Sequence, residues 1–160
     1  MALRDHKLVF SDSQVITSAA TTTLTSTNVV DMGPLSTNNL YRQLNSAQGG
    51  LMLVTRVETS GLSTGSSTIA IKLTCDNNTG MTSTALVLTH LSALAVASFT
   101  AGLRVVSVLP PGVNYERYLQ TEITMAVAPL SAGGNITTFL TDRIDDWYAY
   151  AQKAGEDNGF

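Results

Sequence analysis

Few residues in this chain could do chemistry. There are two histidines, His6 and His90, and one cysteine, Cys75. His6 lies in the charged start Met-Ala-Leu-Arg-Asp-His-Lys, and His90 ends a strand-like run. Both are expected in solvated or capping roles. No Cys–His spacing of a metal site occurs, and no Gly-x-Ser-x-Gly elbow is present. The run Gly61-Leu-Ser-Thr-Gly-Ser-Ser has the glycines of a phosphate loop. It lacks the lysine that reaches the phosphates, so a hairpin connection is expected. Asp76-Asn77-Asn78-Thr79-Gly80 offers side-chain oxygens at alternate positions, as a calcium loop does. It has no distal bidentate glutamate, and Asp, Asn and Gly are also what a turn requires. No catalytic residue, cofactor or metal is expected, and the chain does not read as an enzyme.

Two other groups point to contacts with other molecules. Glu116 and Arg117 stand between Tyr115 and Tyr118, in the stretch that follows Pro110-Pro111-Gly112. Tyrosine and arginine are enriched at the energetic centres of interfaces. The group is therefore either an interface anchor or a turn-stabilising salt bridge with packed rings. The second group is the tail. Trp147, the sole tryptophan, is followed by Tyr148 and Tyr150. Ile144, Trp147, Tyr148 and Ala151 fall at helical spacing, so the tail is a short helix or an extended arm with aromatic anchors. Asp142, Asp145 and Asp146 cluster with Arg143; this is a solvated acidic surface or an electrostatic contact to a partner.

The elements that must hold these groups read as strands. Arg117, Leu119, Thr121, Ile123, Met125 and Val127 alternate with Tyr118, Gln120, Glu122, Thr124 and Ala126. One face is mostly apolar and the other mostly polar, the period of a half-buried strand. Its length places it near the centre of a sheet. Leu51–Glu58 is a second strand, and its first half is apolar on both sides. In Thr68–Asp76, Ile69, Ile71, Leu73 and Cys75 face one way, which makes Cys75 a buried thiol. Ala85–His90, Leu103–Leu109 and Asn135–Thr141 are further strands. Leu91–Thr100 is a short strand or a helical turn. Ser11-Asp12-Ser13 reads as a turn, Ser18–Asn28 as an arm or loop, Ser36–Gly50 as a loop with one helical turn near Leu40–Leu44, and Pro129–Gly134 as a loop. Short strands in this number imply an all-β sandwich or barrel.

The bulk numbers bound the rest. The chain has 160 residues, formal net charge −3 and 13% charged residues. That is one domain over 1–160, with an arm within 1–28 and a tail over 142–160. The charged share is about half the usual ~25%. The acidic balance argues against nucleic acid, which needs a clustered basic surface. No run approaches the ~18 apolar residues of a membrane span, and the start carries no apolar signal core. The chain is expected to be made in a host cytoplasm. Asn77-Asn78-Thr79 and Asn135-Ile136-Thr137 then fit the glycosylation pattern by coincidence. The arm-like start and aromatic tail are segments expected to be held by partner chains.

Short motifs in a fixed order carry a family resemblance. They are Lys7-Leu-Val-Phe-Ser-Asp-Ser-Gln-Val-Ile-Thr, Ser26-Thr-Asn-Val-Val-Asp-Met-Gly, Leu109-Pro-Pro-Gly with Glu116-Arg-Tyr-Leu, and Ala132-Gly-Gly-Asn-Ile-Thr. The chain resembles the capsid cement (decoration) proteins of tailed bacteriophages, of the Bordetella-phage type, from about Leu3 to Tyr150. The resemblance implies a jelly-roll domain on the outer surface of an icosahedral head. It implies small homo-oligomers, dimers favoured and trimers next, that straddle copies of the major capsid protein. A carbohydrate- or receptor-binding jelly-roll module of a phage particle is the alternative. It needs a groove with exposed aromatics, and Trp147 with Tyr148 and Tyr150 is the candidate cluster.

Overall fold

The structure is a computed structural model that describes residues 8–18, 22–33, 50–59, 67–111, 113, 115–126 and 130–142. The described strands are β1 Val9–Ser18, β2 Thr22–Thr25, β3 Val30–Asp31, β4 Met52–Thr59, β5 Thr68–Asp76, β6 Ala85–Ala95, β7 Arg104–Val108, β8 Tyr118–Ala126 and β9 Leu130–Thr141. They form two antiparallel sheets. One has the order β1-β9-β4-β7; the other has the order β2-β8-β5-β6, with β3 beside β2 on the same flank of β8. The chain passes between the sheets after β1, β3, β4, β6, β7 and β8. A sandwich in which the chain crosses this often, with first and last strands adjacent, is a jelly roll.

Period-two patterning makes the core. Ile69, Ile71, Leu73 and Cys75 of β5 and Leu119, Ile123 and Met125 of β8 are all buried. They meet Leu53 and Val57 of β4 and Ile136 and Leu140 of β9 from the facing sheet. At roughly 1.5–3 kcal/mol for each large apolar side chain, this interleaving is the main source of stability. β8 lies between β2/β3 and β5, so its central position is as its length predicts. The first half of β4 is buried on both faces, through Leu53 on one side and Val54 on the other.

Four stretches differ from the sequence reading. Ser11-Asp12-Ser13 is not a turn: β1 runs through it, with register shifts at Val9/Ser11 and Ser11/Gln14 and a positive φ at Ser13. Turn-forming residues here produce a bulge that leaves the strand unbroken. The Thr-rich stretch read as an arm contains β2, which pairs Thr22–Thr25 with Met125–Glu122. Leu24 packs against the core, and for a four-residue edge strand the lack of other large apolar residues is no obstacle. Leu91–Thr100 is both of the alternatives: β6 continues to Ala95, and a 3₁₀ turn follows at Val96–Ser98. The stretch read as a loop at Pro129–Gly134 enters β9 at Leu130, with Ser18 and Leu130 in register.

Between β2 and β3 the ladder is completed from a side chain. Ser26 N donates to Thr121 O at 2.8 Å, while Thr121 N donates to Ser26 Oγ at 3.2 Å. Asn28 N then turns to Phe10 O on the other sheet at 2.8 Å. Before β7, Gly102 takes φ +87, a conformation that L side chains rarely adopt, and its N donates to Val57 O at 2.9 Å.

Candidate interaction surface

The corner into β8 splits the tyrosine-flanked group by role. Tyr115 is 1% exposed and belongs to the core cluster with Phe10, Leu53 and Leu119. Its hydroxyl donates to Pro110 O at 2.8 Å. A tyrosine that bonds to backbone a few residues upstream fastens the corner of a sandwich. Burial pushes its pKa up to about 12, so the phenol stays a donor. Tyr115 is therefore a corner fastener inside the domain.

Arg117 is at the surface. Its Nε and Nη2 donate to Asp31 Oδ1 and Oδ2, each at 2.8 Å. The two side chains are 40% and 46% exposed. The guanidinium also lies 4.9 Å from the centre of the Tyr118 ring. This planar, two-pronged pairing holds the arginine in one orientation. The hydrogen bond from Arg117 lowers the pKa of Asp31, and Asp31 in turn raises that of Arg117. The partner of Arg117 is thus Asp31 on β3, 86 residues earlier in the chain, and its neighbour Glu116 takes no part in the pair. The signal that could have found it is the match between a buried Val30 beside an outward Asp31 and the register of Leu119 with Tyr118. Trp147, Tyr148 and Tyr150 lie outside the described residues, as do His6, Asp145 and Asp146; Asp142 is exposed.

The Asp76 loop uses its oxygens internally. Asp76 Oδ1 accepts from Asn78 N at 3.0 Å, and Oδ2 from Ser83 N at 2.8 Å. Asn78 Oδ1 accepts from Gly80 N at 2.9 Å. Backbone donors, first of all Ser83 N, hold the Asp76 pKa below its ordinary value. The arrangement is a loop brace. Among the described residues no three His, Cys, Asp or Glu side chains come together to hold a metal ion.

His90 is not solvated and does not cap a strand. It is 5% exposed, and its Nδ1 is 2.8 Å from Ser107 Oγ on β7. In the pairing of β6 with β5, Ile71 faces Leu91 and Lys72 faces Thr89, which leaves His90 as an extra residue. Such a bulge re-aims a side chain, and no alternation pattern would show it. Cys75 is buried, as its strand phase predicts. Desolvation raises its pKa, so the thiolate is disfavoured.

The geometry is that of a rigid sandwich with a braced corner and a surface Arg–Asp–Tyr cluster. Comparison with known proteins fits this picture. The Bbp16 family model matches residues 10–140. The chain belongs to the Bbp16 family. That family is one of Bordetella phage proteins, which points to a component of the phage virion. The match runs from the second residue of β1 to the next-to-last residue of β9, so the Bbp16 unit and the sandwich coincide. No curated protein matches the chain. Among the described residues, no helix is long and apolar enough to cross a membrane.

Proposed function

We propose that this Bbp16-family protein is a capsid cement protein. It binds the outer surface of an icosahedral phage head, as a small homo-oligomer with dimers favoured, and reinforces contacts between major capsid protein subunits. It is not an enzyme and uses no cofactor. The observation that carries this reading is the family match across the whole sandwich. The mechanism is mass action: a protein that binds only the assembled shell shifts the equilibrium toward it. Symmetry-repeated weak contacts then add through multivalency. Arg117, Tyr118 and the nearby Glu116 are the described residues offered for contact with the shell; Trp147, Tyr148 and Tyr150 are the candidates from the tail.

Heads prepared with and without the protein, then heated, test the reading. Rupture at a higher temperature with the protein is expected, and equal temperatures overturn it. Two substitutions separate surface from corner. Arg117→Glu is expected to weaken binding to heads in a sedimentation assay while leaving the fold cooperative. Tyr115→Phe leaves Pro110 O without its buried donor and is expected to lower stability by about 1–2 kcal/mol. Heads should still bind the folded Tyr115→Phe protein as they bind the parent.

A further inference from the structure

The two sheets meet edge to edge along one side of the sandwich. β6 is the end strand of one sheet and β7 is the end strand of the other. His90 and Ser107 form a side-chain hydrogen bond across this seam. The imidazole reaches the seam because it is the extra residue of a bulge in β6. Its second nitrogen, Nε2, is buried with no hydrogen-bond partner.

We propose that the His90–Ser107 contact is an acid-released latch that holds the β6–β7 seam shut when neutral and opens it when protonated.

The chemistry follows from the two ring nitrogens. A neutral imidazole carries one proton. With the proton on Nδ1, it donates to Ser107 Oγ, and Nε2 is a bare acceptor. With the proton on Nε2, Ser107 donates to Nδ1. In the cation both nitrogens carry protons, and the Nε2–H is then a buried donor on a charged ring with no acceptor. A buried charge without a counter-ion is among the costliest arrangements in a protein.

No neighbouring charge relieves that cost. The ionisable residues on the adjoining strands are Arg104 on β7 and Lys72, Asp76 and the Cys75 thiol, kept neutral by burial, on β5. Lys72 and Arg104 are cations. Both carboxylate oxygens of Asp76 are taken by the amides of Asn78 and Ser83. Desolvation alone lowers the His90 pKa, from 6.5 to about 4.

The sign of the effect is fixed by linkage. The open seam lets water reach the ring and restores the ordinary value near 6.5, so the open form binds the proton first. The closed form keeps its full advantage above pH 6.5 and loses it as pH falls toward 4. The opening constant rises by up to tenfold per pH unit across that window, roughly 300-fold in all. Histidine is the side chain whose unperturbed pKa puts its charge change nearest neutrality.

The experiment uses the full chain in solution. With only His6 and His90 present, the two imidazole signals are separable by proton NMR, and His6 serves as the reference. His90 is expected to stay neutral well below pH 6, and amide protection in β6 and β7 is expected to fall with acid relative to that in β1 and β9. His90→Gln has no titrating group and is expected to remove the acid-dependent part of that loss. A His90 ring that titrates near 6.5 with the seam still protected overturns the proposal. So does an equal acid dependence in His90→Gln. If that variant fails to fold, the titration of the parent decides alone.

Discussion

On the outward side of the four-stranded sheet, Val9, Phe139, Val54 and Val106 stand in register across all four strands. On the outward side of the other sheet, the matching row is Thr25, Glu122, Lys72 and Thr89. Both rows point away from the shared core. The first is apolar, and three of its members form a separate cluster: Phe139 and Val9 are 4% exposed and Val54 is 1% exposed. The second is made of hydroxyls and one opposed Glu–Lys pair, a favourable cross-strand arrangement. An antiparallel sheet can be solvated on one face, and the Thr25 row is such a face. The Val9 row shows that an outward direction does not by itself imply a wet surface. The four-stranded sheet is apolar through its thickness at β9 and β4, whereas the other sheet is polar on its outward side at the matching row.

The largest effect that would break this comparison is truncation of Phe139. If the outward cluster is a buried layer, Phe139→Ala costs about 3–5 kcal/mol, as for an aromatic ring in a core. Lys72→Ala at the equivalent place on the other sheet should stay within about 0.5 kcal/mol. Urea unfolding of both variants measures the contrast, and equal midpoints would erase it. Within the apolar face, Val108 is 59% exposed beside Met52, so Val108→Thr should also stay within about 0.5 kcal/mol.

An intermediate effect sharpens the comparison on the core side. Thr55 and Thr138 are fully buried on the inward face of β4 and β9, and their hydroxyls lie 3.1 Å apart. Thr55→Val keeps the shape and leaves the Thr138 hydroxyl alone in the core. The expected loss is about 1–3 kcal/mol, the cost of an unpaired buried hydroxyl. Replacing both by valine should recover most of it, because no orphan then remains. A double-mutant cycle in the same urea assay reads that coupling.

How far the sequence made this legible follows from where alternation is intact. In β5 and β8 the period of two is clean, so Ile69, Ile71, Leu73, Leu119 and Ile123 could be placed in the core from the sequence. In β4 the apolar residues on both faces of its first half said correctly that both were covered. They could not say which side faced the partner sheet, because that depends on Val57 and Ile136 far along the register. Bulges hid the rest. His90 looked like a strand end because a bulged residue breaks the alternation by which it would have been found. Ser11–Ser13 looked like a turn because a bulge and a turn draw on the same residues. The Arg117 partner was hidden for a different reason: Glu116 is adjacent in sequence, while Asp31 is adjacent only after β3 pairs with β8. The sequence leaves both roles open for the Tyr115 ring, because a hydroxyl-bearing aromatic after a turn looks the same whether it fastens the corner or faces a partner.

The smallest expected effect tests the wet face most directly. Thr23 and Thr124 are the outward counterparts of the buried threonine pair, on neighbouring β2 and β8, with hydroxyls 3.3 Å apart and exposed. Water can replace either partner there, so Thr124→Val leaves no orphan behind. β-branching is kept, and with it the preference for a strand. The change should stay within about 0.5 kcal/mol, and removing both hydroxyls should add nothing beyond the sum of the single changes. The same two-step substitution is thus strongly coupled at Thr55 and Thr138 and uncoupled at Thr23 and Thr124. If the Thr23–Thr124 pair proves as coupled as the buried one, that face is covered in solution, and the contrast between the two outward faces is lost.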